Sequence, residues 1–439
     1  MKKKLLGILL CVLMLTTLLA GCKKENASND ASSPAGTTKD GDSKSEASDK
    51  PVEINMFISM PEYADAIGEL IKAYKEVKPN VTINYETTQN DYPTLLKAKI
   101  NSGEVPDIFS STSGKEIGVY LDYSYNAVGQ PLSDAMTDPV KGVMKSGDEV
   151  HGFAIKGNYF GLVYNKGIFE EVGISQVPQT MEELVAACDK IKAAGYTPFT
   201  TGYAEWWVFK HAFQHFLNAA QPEDVEGLVN SFIEGKAKIS DYPALYDDFF
   251  KFIDLSIQYG DQKPLETDLS AEISAFGAGQ AAMIIGQGAW VEADILKIDP
   301  EIKIGFDGYP VNSDASVCKV ISGSDQALRI NKDSKVLDEV VAFVNWWYTS
   351  DYGKTWFSDV AGVIPPIKDA VVPDYEIIKQ GNAHVEAEGA GALGVVYSTD
   401  SFHQAFGEIM QSYISGSITK DEACTQIETK WVELEGNSN

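Results

Sequence analysis

Cysteine is scarce in this chain and badly placed for cross-linking. Of five cysteines in 439 residues, Cys11 and Cys22 fall at the N-terminus. Cys188, Cys318 and Cys424 are too far apart to form a disulfide framework or a metal-ligand spacing. Cys188 shares a helical face with Met181, Leu184 and Ile191, the setting of a small buried hydrophobe. Positive charge is also short: 36 Lys and Arg stand against 63 Asp and Glu, a net charge of −27. Phosphate binding needs a basic surface, so nucleic acid is excluded as a partner. Broad adhesion to an anionic membrane is excluded too, and the acidity serves solubility and mutual repulsion. Beyond the N-terminal leader no apolar run is long enough to span a bilayer. Catalytic motifs are missing as well. Gly277-x-Gly279-x-x-Ala282 matches a dinucleotide fingerprint, but a helix rather than a strand precedes it. His211 and His215 stand four apart on a helix, yet Ala212 occupies the position of a zincin glutamate and no third ligand is evident. No serine sits in Gly-x-Ser-x-Gly. Neither a cofactor nor a metal is expected, nor an enzyme. The rival class is a cell-surface glycoside hydrolase, which needs two carboxylates about 5–9 Å apart across a cleft.

The N-terminus carries a strong positive signal. Lys2, Lys3 and Lys4 precede an apolar run from Leu5 to Ala20, which ends in Leu19-Ala20-Gly21-Cys22. Residues 1–21 read as a signal peptide, the apolar run being shorter than the roughly 20 residues of a spanning helix. The tetrapeptide resembles the lipobox of bacterial lipoproteins. That resemblance implies that Cys22 becomes the lipidated mature N-terminus, palmitate included, at the extracellular face of the cell membrane. Two or more buried acyl chains anchor durably where one does not. From Lys23 to Lys50 there is no aromatic or large aliphatic residue, so residues 22–50 are expected to be a disordered tether, spanning roughly 30 Å on average for a flexible chain.

The remaining 389 residues, from Pro51 on, are too many for one compact core and fit two domains. Val52 to Ile58 alternates as a strand, and Ile67, Leu70, Ile71, Tyr74 and Val77 recur at helical spacing until Pro79-Asn80. A second strand (Val81 to Tyr85), a second helix (Tyr92 to Ile100) and a short buried strand (Asp107 to Phe109) follow. Strand–helix alternation implies parallel βαβ units, in which ligands bind beyond the C-terminal ends of the strands. Further on, Thr180-Met-Glu-Glu183 is a capping box. Helices are expected over 205–217, 242–259, 336–348, 399–413 and 420–432, and strands at 161–165, 282–285 and 304–306.

Six short motifs, in order, carry a family resemblance. They are Val105-Pro-Asp-Ile-Phe109; Tyr164-Asn-Lys166; Pro178-Gln-Thr-Met-Glu-Glu-Leu184; Phe276-x-x-Gly-Gln-Ala-Ala-Met283 with Gly288-x-Trp290; Ile304-Gly-Phe306 with Pro310; and Ser415-Gly416 with Thr419-x-x-Glu422-Ala423. Together they resemble the extracellular solute-binding proteins of ABC importers, in the branch with the maltose- and oligosaccharide-binding proteins. The resemblance implies an α/β fold, two-lobed and periplasmic-binding-protein-like, with a ligand cleft between lobes joined by crossing hinge strands. It places one lobe at 51–130 plus 321–362 and the other at 131–320 plus 363–439. It also implies a monomer that hands a sugar to the transmembrane permease subunits of an ABC importer.

Sugar binding calls for flat apolar faces and a few groups to bond hydroxyls. Glu205-Trp206-Trp207 supplies an acid and two rings where, by the resemblance, the second lobe meets its ligand. Trp290 follows the turn at Gly286 and Gly288, where family members place a stacking ring. Asp400, Phe402 and His403 open a late helix that the family turns toward the cleft, although Asp400 also suits an N-cap. On the first lobe Glu62, Asp91 and Ser111 follow the first three strands. Ser110-Ser111-Thr112 stands where the maltose-binding pattern has an aromatic, which argues against maltose. Trp346, Trp347 and Trp356 are expected in the core. The ligand expected is a neutral di- or oligosaccharide.

Overall fold

A computed structural model describes residues 50–436. The leader, Cys22 and nearly all of the expected tether lie outside the described residues. The chain opens with β1 (Val52–Ile58), α1 (Ala64–Val77), β2 (Val81–Thr87), α2 (Tyr92–Asn101), β3 (Ile108–Thr112) and α3 (Lys115–Val119). It continues through β4 (Asn158–Phe160), β5 (Leu162–Asn165), α4 (Met181–Ala193), β6 (Thr197–Thr200), α5 (Trp207–Ala220), α6 (Val225–Ile233), α7 (Phe249–Tyr259) and α8 (Leu269–Gly277). The last third holds β7 (Ala281–Ile284), β8 (Ile304–Asp307), β9 (Ile321–Gly323), β10 (Gln326–Ile330), α9 (Leu337–Thr349), α10 (Glu376–Glu388), α11 (Asp400–Ile414) and α12 (Lys420–Glu435).

Two four-stranded sheets organise these elements. The first runs β10-β3-β1-β2 and the second β8-β5-β7-β6. In the first, β1 pairs in parallel with β2 and β3, as strand–helix alternation requires, and β10 closes the edge antiparallel to β3. Strand alternation gives this sheet two buried faces. Ile54, Met56 and Ile58 face the main core, whereas Phe57 joins Tyr92, Leu96, Phe109 and Tyr120 in a second cluster. The second sheet is mixed: β6 and β7 are parallel, but β5 is antiparallel to both β7 and β8.

Residues 131–154 pack on elements of the first sheet. The Leu132 amide donates to Asn345 Oδ1 at 2.9 Å, and Phe153 pairs with Leu328 in an isolated bridge. The Phe153 ring lies edge-on to Trp347 and Tyr348, which continue into Trp356 and Phe357. Trp347 and Trp356 are fully buried, as expected, and Trp346 is partly buried against Tyr74 and Tyr352. The C-terminal helices α11 and α12 pack instead on α5 and α6. Between the sheets run three neighbouring passages. Gly157 bridges Ile364, and Ser324, in the turn joining β9 to β10, donates its hydroxyl to the Lys156 carbonyl at 2.8 Å.

The sequence contains one arginine, Arg329, and it is fully buried on β10. Its guanidinium donates to Ser124 Oγ (2.7 Å), Ser111 Oγ (3.2 Å) and the carbonyls of Glu116 (2.8 Å) and Ile117 (3.4 Å). A rigid multi-donor fork suits this work better than a lysine's point charge. Burial draws its pKa down to about 10, against the pull of Glu116.

Candidate ligand-binding cleft

The two lobes face each other across a cleft whose space, counted out to open solvent, is about 600 Å³. Its walls come from both sheets. Ser59 and Glu62 follow β1, Gln89 lies between β2 and α2, Tyr92 opens α2, and Trp206, Trp207, Lys210 and His211 lie at the start of α5. Trp290 and Asp400 complete the second-lobe wall, and Lys156, Asp325 and Gln326 come from the passages between the sheets. The first-lobe groups thus stand at the C-terminal ends of parallel strands, where such sheets bind ligands.

Of the residues expected at the site, Glu62, Trp206, Trp207, Trp290 and Asp400 line this cleft together. Glu205 is buried beside it, accepting from Trp207 Nε1 at 3.2 Å and bonding Asn90 of the facing lobe. Burial raises its pKa despite those bonds. Four expected residues are placed elsewhere. Asp91 is solvent-exposed ahead of α2 and does not line the cleft. Ser111 is buried, donating to the Thr112 carbonyl and accepting from Arg329; strand alternation turns it into the first lobe. Phe402 is a core residue, stacked on Trp431 (4.4 Å between ring centroids) and Phe406. His403 is buried next to it, 4.0 Å from Asp400, and supports that carboxylate from behind.

The tryptophans are held tightly. Trp290 meets Phe160 and His211 edge-on, at 5.4 and 5.5 Å between centroids, and Lys156 Nζ lies over its ring at 4.4 Å. His211 Nδ1 donates to the Gly286 carbonyl at 3.0 Å, and burial keeps the ring neutral with a pKa near 3. His215 donates its Nδ1 proton to the Lys319 carbonyl at 3.2 Å, so the two histidines serve packing. Among the described residues no group of His, Cys, Asp and Glu is arranged to hold a metal ion.

Charge is concentrated on the cleft floor. Lys156 lies 3.8 Å from Asp325, and Lys210 lies 3.5 Å from Asp400. Burial pushes Asp400 up, but Lys210, His403 and Thr112 outweigh it, leaving the carboxyl well below the usual carboxylate range. Asp325 is lowered in the same way, with Lys156 opposing burial. Glu62, half-buried in the cleft wall, goes the other way: burial lifts it to about 7 against the pull of Lys156.

Several bonds join the lobes across the cleft. Thr112 Oγ1 donates to Asp400 Oδ1, and the Asp400 amide donates to Glu116 at 3.3 Å. Lys115 pairs with the buried Glu435 at 2.7 Å, and Lys97 reaches Ser401 at 2.6 Å. The closed arrangement is therefore stitched at the surface and at the floor.

Sequence reasoning did not single out Gln89, Lys156, Lys210 or Asp325. Lys210 and His211 follow Trp206 and Trp207 by one helical turn, a signal that spacing alone provides. Lys156, Asp325 and Gln89 sit in loops, and only the tertiary fold brings them in.

Comparison with known proteins fits this geometry. The chain is 25% identical over 354 residues to the multiple sugar-binding protein of Streptococcus mutans, covering 79% of each chain. It is 20% identical over 340 residues to the melibiose/raffinose/stachyose-binding protein MelE of Bacillus subtilis, covering 75% of this chain and 74% of that one. Among solved structures, a sugar transporter from Bacillus licheniformis in complex with stachyose superposes with a TM-score of 0.76 at 17% identity, over 88% of this chain and 100% of that one. A chitin oligosaccharide binding protein gives 0.76 at 18% identity, over 87% and 98%. The family model described as bacterial extracellular solute-binding protein matches residues 59–354, and with the two-lobed fold and its cleft it establishes that the chain belongs to that family of solute-binding proteins.

Proposed function

We propose that this protein captures a neutral di- or oligosaccharide outside the cell and delivers it to the transmembrane subunits of an ABC importer. The observation that carries the reading is the cleft wall, where Trp206, Trp207 and Trp290 stand beside Glu62, Asp325 and Asp400. Flat rings take the C–H faces of a pyranose, and a few fixed polar groups orient its hydroxyls. Relatives named for binding multiple sugars, and for melibiose, raffinose and stachyose, support the same ligand class. The protein acts as a monomer, tethered by an acylated, palmitate-bearing Cys22 after removal of the leader. We assign residues 51–156 plus 324–362 to the first lobe and most of the remainder to the second. The packing of 131–154 on α9 and β10 supports moving that segment from the second lobe to the first. A thermal-shift screen against di- and trisaccharides, with product analysis on the same samples, is the test. A sugar that raises the melting temperature and is recovered intact is expected; stabilisation only by an amino acid or phosphate would overturn the reading.

A further inference from the structure

β6 and β7 are parallel neighbours with Thr200 beside Ile284, so the chain leaves both strands at one level, in two adjacent turns. The first, at Gly202, leads to Trp206 and Trp207, and its Gly202 carbonyl accepts from the Glu205 amide at 3.0 Å. The second, Gly286 to Gly288, leads to Trp290. One side chain reaches both turns. Glu272, on α8, is fully buried. Gly202 passes so close that a Cβ there would lie 2.7 Å from Glu272 Oε2. The same oxygen accepts from Nε2 of the fully buried Gln287 at 2.7 Å.

Two atoms of this contact are unsatisfied. Glu272 Oε1 and Gln287 Oε1 are both buried without a hydrogen-bond partner among the described residues. Leaving buried acceptors unpaired is costly. An ionised carboxylate only accepts, so it can satisfy neither. A single proton on Glu272 Oε1 satisfies both, because a carboxylic acid has one O–H to donate and the amide carbonyl of Gln287 accepts it. The acid then gives one hydrogen bond to the amide and receives one from it. The surroundings favour this neutral form. Asp261 beyond α7, Glu205 ahead of α5, Tyr203 and Tyr309 face Glu272, and none of them is basic. Burial holds the carboxyl well above the usual carboxylate range, helped by Asp261 and Glu205 and opposed by the Gln287 amide and the Ile285 N–H.

We infer that Glu272 is a positioning residue: as a neutral acid paired reciprocally with Gln287, it fixes the two turns that carry Trp206, Trp207 and Trp290 into the cleft. The inference rests on the reading of that cleft as the ligand site and adds a residue that touches no ligand. Glu272 acts from behind the wall, through Gly202 on one side and Gln287 on the other. An amide at position 272 can make the same two-way pair, whereas an apolar side chain cannot.

The test uses the full mature chain and begins without sugar. Infrared spectra of the parent and of Glu272→Gln are compared near pH 7. The carbonyl stretch of a protonated carboxylic acid is expected in the parent and lost in Glu272→Gln; loss of a carboxylate stretch instead would overturn the neutral pair. Near-ultraviolet circular dichroism is expected to change in Glu272→Leu and to return to the parent's form in Glu272→Gln. Should Glu272→Leu fail to fold, Gln287→Leu carries the same expectation. Calorimetric titration with maltotriose, raffinose, xylotriose and chitotriose follows. For whichever binds the parent, the leucine variants are expected to lose roughly tenfold or more in affinity, and Glu272→Gln to stay within about threefold. Leucine variants that bind as the parent does, or a Glu272→Gln variant as weak as they are, would overturn the positioning role. If no sugar binds the parent, the carbohydrate reading falls, and the two spectra still decide the acid–amide pair.

Discussion

Trp290 shows how much at this site depends on neighbours rather than on residue type. Its ring is enclosed by Phe160, His211 and Lys156 and is only 8% exposed, so its truncation removes a cleft wall and releases the Lys156 ammonium together. Trp290→Ala should weaken sugar binding by at least tenfold, since a well-packed anchor is worth about 1–3 kcal/mol or more and about 1.4 kcal/mol is tenfold. Calorimetry on a variant whose circular dichroism is native checks this. Glu62 predicts a pH effect. Its folded pKa of about 7 lies above the ordinary 4.5, so the folded state holds a proton that the unfolded chain has released. Stability from this group is complete below pH 4.5 and declines as pH rises toward 7 and beyond. Glu62→Gln should therefore flatten the fall in stability between pH 4.5 and 7 relative to the parent; denaturant midpoints across that range would show it. Aromatic and acidic candidates were visible as residue types. Phe402 and Ser111 were not separable from cleft residues by position alone, because a neighbouring helix (α12) and a buried guanidinium, both remote in sequence, decide where they point.

Local chemistry made many elements legible. The Thr180 box forms as read, with the Thr180 hydroxyl accepting from the Glu183 amide at 3.3 Å and Glu183 reaching back. Thr180→Ala should cost about 1 kcal/mol, seen as a lower urea midpoint with an unchanged slope. The first sheet follows the βαβ pattern closely because each strand is followed by its own amphipathic helix. The second sheet does not, because β5, β7 and β8 are joined by long excursions whose direction no local signal encodes. Besides short helices such as α3, two longer ones are missing from the sequence reading. Val225, Leu228, Val229 and Phe232 of α6 do recur at helical spacing, yet α6 is only nine residues long. In α10 the apolar face is sparse, and its anchoring comes from Glu292, which accepts from the amides of Glu376 and Ile377 at 2.6 and 2.7 Å. A carboxylate so far back in sequence is invisible to a window that reads neighbours.

At the scale of the whole molecule, two lobes joined by three neighbouring passages can open as rigid bodies about them, with only a few residues changing φ/ψ. A ligand that touches both lobes favours the closed form because it gains contacts absent from the open one. Small-angle scattering is expected to give a smaller radius of gyration with saturating sugar than without it; equal radii would indicate a one-sided site. For the anchor, Cys22→Ser is expected to move the protein from the membrane to the soluble fraction with the body still folded. A second consequence comes from the lone Arg329. A protease specific for arginine has one peptide bond to cut in the entire chain, after a residue that is fully buried in a sheet. Closure and opening of the cleft leave β10 paired with β3, so ligand traffic does not present that bond. Cleavage after Arg329 thus acts as a one-hit clock, and where reclosing is fast relative to proteolysis its rate reports the population in which the edge strand β10 has left β3.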